Sequence, residues 1–292
     1  MGDGVDKLLC GLIGAGIQRS LTPAMQEEEA RAQGLRLHYQ LIDLDKAGQG
    51  VEALPTLLSA AKTMGFAGLN ITYPCKQAVI PLLDALSDEA RAMGAVNTVV
   101  LRDGHAVGHN TDGSGWRWGF ERTLPGADLS RVVLLGAGGA GSAIAHSLCC
   151  MKTASLVIVD PDAARAAALA GELNRQYGGR AASGSSDVAA AMRGGGGATG
   201  LVHATPTGMD KLPGLPLPAE LLRPDLWVSE IVYFPLETAL LEAARALGFR
   251  VVDGGTMAVG QAVGAFELFT GRRADAARVD AHFRRLVAAR AN

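Results

Sequence analysis

The sequence predicts an α/β protein built from two domains. Strand-like and helix-like segments alternate in two separate series along the chain, an order typical of parallel β-α-β units. The length of 292 residues exceeds that of one typical compact core. Hydrophobic residues make up 48% of the chain and charged residues 19%, the composition of a well-packed globular protein.

The first series predicts a parallel layer that ends in a hairpin. The segments "LLCGLIG", "LHYQLID" and "FAGLNIT" are strand-like, and helical segments separate them, one after Pro23 and one over 51–64. In "AVNTVVLRDGHAVGHNTDG" two shorter strands are joined by a turn at Asp103 and Gly104. We expect residues 1–112 to form the first domain and the amphipathic C-terminal helices over 257–292 to complete it.

The second series predicts a dinucleotide-binding domain over 113–256. It runs through "RVVLLGAGGAGSAIAHSL", "SLVIVD", the helix "DAARAAALAGELN", "GLVHATP", "LWVSEIVY", the helix "ETALLEAARALG" and "RVVDGG". The glycine-rich stretch "MRGGGGATG" is interpreted as a flexible surface connection because it has few side chains with which to build a site.

Charge and cysteine usage exclude several classes of protein. A net charge of -2 and a pI near 6.3 provide no basic stripe, so neither nucleic acid nor a membrane surface is the expected partner. The four cysteines lack metal-ligand spacing, which predicts no metal site and fits a reducing cytoplasm. The apolar stretch "LLCGLIGAGI" lacks a small-residue cleavage site and is not expected to be a signal peptide, and no stretch approaches the roughly 20 residues of a membrane span.

Two glycine loops follow predicted strands, and the first is the weaker candidate for a dinucleotide site. Gly14 and Gly16 follow the opening strand, and Asp43 ends the next one. However, Arg19 occupies the third glycine position, where its side chain would obstruct close packing of a helix on the strand. We therefore interpret this loop as shaping a substrate pocket.

The second loop has the full dinucleotide-binding pattern. Gly136, Gly138 and Gly141 follow four β-formers and open an alanine-rich helix, whose N-terminal N–H groups can receive a pyrophosphate. Asp160 lies 24 residues beyond Gly136, where an acid hydrogen-bonds ribose hydroxyls and repels a 2′-phosphate. This favours NAD over NADP, although Arg165 weakens the preference. The alternatives are a packing turn for the glycines and an N-cap for Asp160, at a helix beginning at Pro161.

Lys76 and Asp112 are the candidates for proton transfer. Each follows a predicted strand, and ligands of α/β domains collect beyond the carboxyl ends of the strands. A neutral lysine can accept the proton of a hydroxyl while hydride leaves, and its ammonium form can return that proton. The alternative is a solvated lysine and an unrelated helix cap at Asp112, and the residues alone leave both interpretations open.

Other polar residues are suited to a hydroxy acid. Ser20 and Thr22 offer two hydroxyls near a helix N-terminus, a suitable arrangement for a carboxylate, although simple N-capping is the alternative. Neutral donors and acceptors suited to a polyol are Asn70, Thr72, Asn97 and Gln261. Taken singly, such residues are more often found in turns or at strand edges.

Together these stretches resemble the shikimate/quinate dehydrogenase family. Its motifs are matched in order by "GLIGAGIQRSLTPAM", "GLNITYPCKQ", "GAVNTVV", "GHNTDGSG", "GAGGAG", "ATPTGM" and "GTMAVGQA", which span nearly the whole chain. The resemblance implies NAD(P)-linked interconversion of a cyclic hydroxy acid with its 3-dehydro form, in a cleft between an α/β substrate domain and a Rossmann domain. It implies that Lys76 and Asp112 are the catalytic pair.

The resemblance also implies the binding residues. Ser20 and Thr22 would hold the substrate carboxylate, and the remaining substrate contacts would come from Thr72, Asn97, Gln261 and Tyr233. The cofactor contacts would be Gly136, Ala137, Gly138, Gly139, Ala140 and Gly141 for the pyrophosphate, Asp160 and Arg165 for the adenosine ribose, and Thr205 and Met257 from the two later motifs.

Two departures from the biosynthetic enzymes point to the NAD-dependent quinate/shikimate branch. The chain has "V-D-P-D" where they commonly have "N-R-T", and Thr22 where they commonly have a second serine. The alternatives are an NADP-dependent biosynthetic shikimate dehydrogenase, an aminoquinate or aminoshikimate dehydrogenase and, remotely, a non-catalytic NAD-sensing protein. The oligomeric state stays open, with a homodimer as one option.

Overall fold

The computed structural model describes residues 7–179 and 181–291, and the chain divides into two compact units. Unit 1 comprises 1–111 and 261–292, and unit 2 comprises 112–260. These boundaries differ from the expected 112/113 and 256/257 by one and four residues. The differences arise because both boundaries fall inside helices, whereas the turn residues that mark a domain boundary in a sequence occur in linkers.

Unit 1 contains a mixed sheet. Its strands are β1 (Lys7–Gly14), β2 (Arg36–Asp43), β3 (Gly68–Ile71), β4 (Ala85–Leu86), β5 (Thr98–Arg102) and β6 (His105–His109). The sheet order is β2-β1-β3-β5-β6-β4. β1 pairs in parallel with β2 and β3, whereas β5 pairs antiparallel with β3 and β6. The predicted turn is confirmed, since Asp103 and Gly104 join β5 to β6 with φ of 51° and 78°.

The helices of unit 1 cover both faces of this sheet and include the end of the chain. They are α1 (Thr22–Ala32), α2 (Leu44–Ala47), α3 (Leu54–Met64), α4 (Cys75–Ala78) and α5 (Asp88–Met93), with α12 (Ala276–Ala291) at the C-terminus. Glu29 of α1 and Arg278 of α12 form a two-point ion pair, at 2.7 and 2.8 Å, that ties the C-terminal helix to the first one. Phe269 is buried with Cys10 and Tyr39 of the sheet.

Unit 2 contains a doubly wound parallel sheet. Its strands are β7 (Val132–Leu135), β8 (Leu156–Val159), β9 (Ala182–Ser185), β10 (Gly200–His203), β11 (Trp227–Glu230) and β12 (Val251–Val252). The order β12-β11-β10-β7-β8-β9 is that of a dinucleotide-binding Rossmann sheet, whose ligand crevice opens where the order reverses, between β7 and β10. The predicted α/β class is confirmed.

The remaining helices belong to unit 2, except for Thr111 of α6 and residues 261–270 of α11, which belong to unit 1. They are α6 (Thr111–Thr123), α7 (Gly139–Cys150), α8 (Ala163–Gln176), α9 (Val188–Arg193), α10 (Ala239–Ala246) and α11 (Gly254–Thr270). The central strands are apolar and fully buried between the layers, so β7 reads "VVLL" and β8 reads "LVIV".

Two segments differ from the sequence prediction. β9 was not predicted because "ASGS" has little β-propensity, yet it pairs in register with β8. Gly184 is required there, since a Cβ would lie 2.5 Å from the backbone nitrogen of Ala167 in α8. The stretch predicted as a flexible connection contains the end of α9, a short 3-10 turn over 194–196 and the start of β10.

Within the described ranges, no helix combines the length and the apolar character needed to cross a bilayer. All four cysteines are free thiols.

Candidate active site

The first glycine loop is held together by the carboxylate that ends β2. Asp43 Oδ1 accepts the N–H of Gly16 at 3.0 Å, and Oδ2 accepts the N–H of Ile17 at 3.2 Å and the side-chain amide of Gln18 at 2.9 Å. The bond from Gln18 and those from backbone N–H groups lower the pKa of Asp43. Because this carboxylate is committed to its own loop, it shapes the turn that leads to Ser20.

Ser20 and Thr22 lie side by side at the start of α1. Their hydroxyl oxygens are 3.1 Å apart, and Ser20 Oγ accepts the N–H of Thr22 at 3.2 Å. The N-capping alternative is wrong for Thr22, because the helix begins with this residue and Leu21 takes the cap position without a side-chain bond. The arrangement places two hydroxyls at a helix N-terminus, where an anion is favoured.

The residues that follow β3 contact the first glycine loop. Thr72 donates its N–H to Ile13 at 2.9 Å, and Ala15 donates to the carbonyl of Tyr73 at 2.9 Å. The two segments approach so closely that a Cβ on Gly14 would lie 2.2 Å from Cγ2 of Thr72. Directly after Pro74 the chain forms the single helical turn of α4, whose second residue is the half-buried Lys76.

Asn97 connects this region to the start of α6. Val96 donates its N–H to the carbonyl of Lys76 at 2.9 Å, which fixes the neighbouring Asn97 beside α4. Asn97 Oδ1 accepts the N–H of Thr111 at 2.8 Å and the hydroxyl of Thr98 at 2.9 Å, and its Nδ2 donates to Thr111 Oγ1 at 3.0 Å. All three side chains are buried.

Thr98 and Thr111 were missed by the sequence analysis. Each adjoins a predicted residue inside a matched motif, "AVNTVV" and "GHNTDG", and that adjacency was the available signal. Their hydroxyls hold the Asn97 amide in one orientation.

Asn70, expected to face a polyol, is instead held within unit 1. Its Oδ1 accepts the hydroxyl of Tyr39 at 2.6 Å, while its Nδ2 donates to the Asn97 carbonyl and to Thr98 Oγ1 at 3.3 and 3.0 Å. Both amide hydrogens of Asn70 are therefore donated to groups of the protein itself. Asn70 ties β2 and β3 to the start of β5.

Gln261 is the first residue of the C-terminal segment of unit 1. Gln26 of α1 donates to the carbonyl of the adjacent Ala262 at 2.9 Å, which anchors α11 at this point. One turn further, a Cβ on Gly264 would lie 3.3 Å from Cγ2 of Thr111. The structure thus brings the turn that begins with Gln261 close to Thr111 and Asn97.

Asp112 belongs to unit 2 and is buried, with 4% of its surface exposed. It is the second residue of α6 and lies in the first turn of that helix. Tyr233, which follows β11 in the same unit, is 43% exposed. Unit 1 therefore holds Ser20, Thr22, Thr72, Lys76, Asn97 and Gln261, while Asp112, Tyr233 and the expected cofactor residues belong to unit 2.

The glycine loop after β7 fits a pyrophosphate. Gly136 has φ of +102°, and a Cβ there would lie 2.6 Å from the Ala204 carbonyl, while one on Gly141 would lie 2.0 Å from the Gly136 carbonyl. A Cβ on Gly138 or Gly139 would meet nothing within 4 Å. The loop is thus tight on its inner side and open on its outer side.

The open side of this loop is also the N-terminus of α7. The N-cap residue is Gly138, which has no side chain to satisfy the first N–H groups, and no side-chain cap bond is present in the described chain. These donors and the positive end of the helix dipole therefore suit an anionic group beside Gly139, Ala140 and Gly141.

Asp160 joins the loop to the end of β8. Its Oδ2 accepts the N–H of Ala137 at 2.9 Å, and its Oδ1 accepts the N–H of Asp162 at 2.9 Å. The alternative of an N-cap on a helix beginning at Pro161 is wrong, because α8 begins at Ala163 and Asp162 caps it, accepting the N–H groups of Ala164 and Arg165 at 3.1 Å each.

Arg165 lies between these two acids. Its guanidinium nitrogens are 3.6 Å from Asp160 Oδ1 and 3.5 Å from Asp162 Oδ2. The side chain of Asp160 is 8% exposed, against 50% for Asp162 and 57% for Arg165. The local charge beyond β8 is therefore negative, with one cation that two carboxylates share.

Thr205 and Met257 occupy different environments. A Cβ on Gly136 would lie 3.1 Å from Cγ2 of Thr205, so that threonine borders the glycine loop. Met257, in the first turn of α11, is 7% exposed and is part of the hydrophobic core that also contains Ala137.

Behind Thr205 lies a buried pair that the sequence analysis missed. His203 Nδ1 is 2.8 Å from Glu230 Oε1, and both side chains are fully buried. The signal in the sequence was the presence of a histidine and a glutamate at the ends of strands that are otherwise apolar or small, in "GLVH" and "WVSE".

Comparison with known proteins gives a consistent relationship. Residues 12–99 match the model of the shikimate dehydrogenase substrate binding domain. The chain is 58% identical to a shikimate dehydrogenase (NADP(+)) of Streptomyces avermitilis, with 94% of each chain covered. It is 48% identical to a quinate/shikimate dehydrogenase (NAD(+)) of Corynebacterium glutamicum, over 94% of this chain and 97% of that one.

A solved structure extends the relationship to the whole fold. The structure of quinate dehydrogenase from Corynebacterium glutamicum in complex with NAD superimposes with a TM-score of 0.91 at 46% identity, covering 96% of this chain and 99% of that one. The chain therefore belongs to the shikimate/quinate dehydrogenase family of NAD(P)-dependent oxidoreductases that act on a CH–OH group.

Proposed function

We propose that the protein is an NAD-dependent dehydrogenase that interconverts quinate, shikimate or both with their 3-dehydro compounds. Unit 1 binds the cyclic hydroxy acid in this proposal, and unit 2 binds the dinucleotide. Support comes from the Corynebacterium relatives, whose names specify quinate and NAD, and from the acids beyond β8.

Within unit 1, each group has a role that its surroundings allow. Ser20 and Thr22, whose hydroxyls adjoin the N-terminus of α1, bind the substrate carboxylate. Thr72, Asn97 and Gln261 bind ring hydroxyls. Asn97 suits this role because Thr98 and Thr111 hold its amide in one orientation. In unit 2, Tyr233 is exposed and is assigned to the substrate by family resemblance.

Lys76 and Asp112 handle the proton. During oxidation the neutral amine of Lys76 accepts the hydroxyl proton of the substrate, and during reduction its ammonium form donates it. The carboxylate of Asp112 orients the ammonium and stabilises its charge. When bound, the nicotinamide supplies the chemistry of hydride transfer.

The observation that carries the choice of NAD is the pair of acids beyond β8. Asp160 is buried and Asp162 is half-exposed, and both share Arg165. A 2′-phosphate would add a charge of about -1.5 to -2 near two carboxylates, whereas a 2′-hydroxyl can donate to one of them.

A second candidate is an NADP-dependent shikimate dehydrogenase. The observation that favours it is the 58% identity to the Streptomyces avermitilis enzyme, whose name specifies NADP. In this case Arg165 would have to leave its carboxylate partners and pair with the 2′-phosphate.

The test is a spectrophotometric comparison of quinate and shikimate with NAD and with NADP. The proposal expects NADH formation and a higher kcat/KM with NAD for at least one of the two substrates. A higher kcat/KM with NADP supports the second candidate. Turnover only with aminoquinate or aminoshikimate, or no turnover with any of these hydroxy acids, refutes the proposal.

A further inference from the structure

The buried pair behind Thr205 sets the direction of a hydrogen bond at the edge of the glycine loop. Glu230 Oε1 accepts the N–H groups of Ile231 at 2.8 Å and Val232 at 3.0 Å, and Oε2 accepts the hydroxyl of Thr238 at 3.0 Å. A carboxylate surrounded by three donors acts as an acceptor only, so His203 Nδ1 donates the fourth bond, at 2.8 Å.

For the neutral imidazole, this geometry places the single ring proton of His203 on Nδ1. With its proton on Nδ1, the imidazole presents Nε2 as an acceptor, and the group in contact with Nε2 is the hydroxyl of Thr205. The Thr205 proton is therefore directed inward, to His203. One lone pair of its oxygen accepts the N–H of Thr207 at 3.3 Å, which leaves one lone pair for a ligand.

Thr205 lies where a dinucleotide would reach it. It follows β10, on one side of the point where the order of the Rossmann sheet reverses, and its methyl group borders Gly136 of the glycine loop. The residue is only partly buried, whereas His203 and Glu230 are fully buried. The threonine hydroxyl is thus the part of this network that a ligand can meet.

We propose that Glu230 and His203 are positioning residues that lock Thr205 as a hydrogen-bond acceptor for an O–H or N–H donor of the bound dinucleotide. This inference rests on the proposed function, because it assigns that ligand to unit 2. A hydroxyl that is free to rotate could act as donor or acceptor, whereas a locked one favours a ligand donor and avoids the entropic cost of choosing an orientation.

The test compares variants by titration of NADH fluorescence. Thr205→Val removes the hydroxyl and keeps the shape. His203→Asn keeps an amide donor close to the position of Nδ1 for Glu230 but leaves nothing at the position of Nε2. Each variant is expected to raise the Kd for NADH about 3- to 10-fold, the loss of one neutral hydrogen bond, with little change in the KM for quinate or shikimate. Thr205→Ser is expected to recover most of the affinity.

A double variant tests whether His203 changes the Kd for NADH through the Thr205 hydroxyl. If His203 acts through the Thr205 hydroxyl, His203→Asn changes the Kd less than twofold in the Thr205→Val background. The matched control is Thr153→Val, which removes a buried hydroxyl without a hydrogen-bond partner elsewhere in unit 2 and is expected to leave the Kd unchanged.

Three outcomes overturn the inference: a wild-type Kd for Thr205→Val, effects that add in the double variant, or nitrogen NMR of the wild-type enzyme showing a proton on Nε2 of His203, in either the neutral ring or the imidazolium. The NMR and Thr205→Val results decide the question even if His203→Asn does not fold. If the wild-type protein neither binds NADH nor turns over substrate, the proposed function fails instead.

Discussion

Cofactor choice can be tested by removing the charge of either acid beyond β8. Asp162 uses only Oδ1 to cap α8, so Asp162→Asn keeps both capping bonds while it removes one charge. Asp160 uses Oδ1 for one N–H group and Oδ2 for another, so Asp160→Asn removes the charge and also loses one of these bonds. The two variants therefore separate charge from loop support.

The expected magnitudes follow from burial. Two unit charges about 6 Å apart repel by about 3 kcal/mol at an effective dielectric constant of about 20, and by about 0.7 kcal/mol in bulk water. Asp160 is 8% exposed and Asp162 is 50% exposed, which places them near these two limits. After partial compensation by Arg165, the ratio of kcat/KM for NADP to that for NAD is expected to rise about 10- to 100-fold in Asp160→Asn and about threefold in Asp162→Asn.

The assay is the initial rate of reduced cofactor formation with each dinucleotide, at saturating quinate or shikimate. Loss of a loop bond in Asp160→Asn costs about 1–3 kcal/mol with either cofactor, so the ratio is the informative quantity rather than either KM. The electrostatic argument is refuted if the ratio in Asp160→Asn stays within twofold of wild type, or if Asp162→Asn shifts it more.

Three further predictions concern proton transfer, an unpartnered hydroxyl and a buried ion pair. Lys76→Ala is expected to lower kcat about 10²- to 10⁴-fold in the spectrophotometric assay, and a normal kcat contradicts its role in proton transfer. Thr153→Val is expected to raise the free energy of unfolding in urea by about 1 kcal/mol, because its buried hydroxyl has no partner; a loss of stability contradicts this. Arg278→Ala is expected to cost about 2–3 kcal/mol at pH 7, since it leaves the buried Glu29 carboxylate without its cation. Burial by itself raises the pKa of the Glu29 carboxyl, but hydrogen bonds donated by Arg278, by the backbone N–H of Asp275 and by Gln33 lower it below its ordinary value of 4.5. The stabilisation by this ion pair is therefore present above the unfolded-state pKa and is lost as the pH falls through the folded-state pKa. The difference between wild type and variant is thus expected to shrink in urea titrations below about pH 4.5, and a difference that grows on acidification contradicts the assignment.

Much of the fold could be predicted because its signals are local. The apolar runs around Leu134 and Ile158 indicate strands, the turn at Asp103 indicates a hairpin, and the glycines from Gly136 indicate a strand-loop-helix unit. β9 could not be predicted, because its pairing depends on β8 and on the close approach of α8 to Gly184 rather than on its own residues.

The sequence by itself determined the fold class, the position of the glycine loop and, through the order of its motifs, the family. Only the tertiary structure decided how polar side chains are used. Asp43 ends β2 and Asp160 directly follows β8, and contacts show that each accepts N–H groups of the glycine loop before it. Asn70 was expected to face a substrate, yet Tyr39 and Thr98 occupy its amide. Periodicity and loop motifs act over a few neighbouring residues, whereas a hydrogen-bond partner can come from any part of the chain that folding brings within about 3 Å.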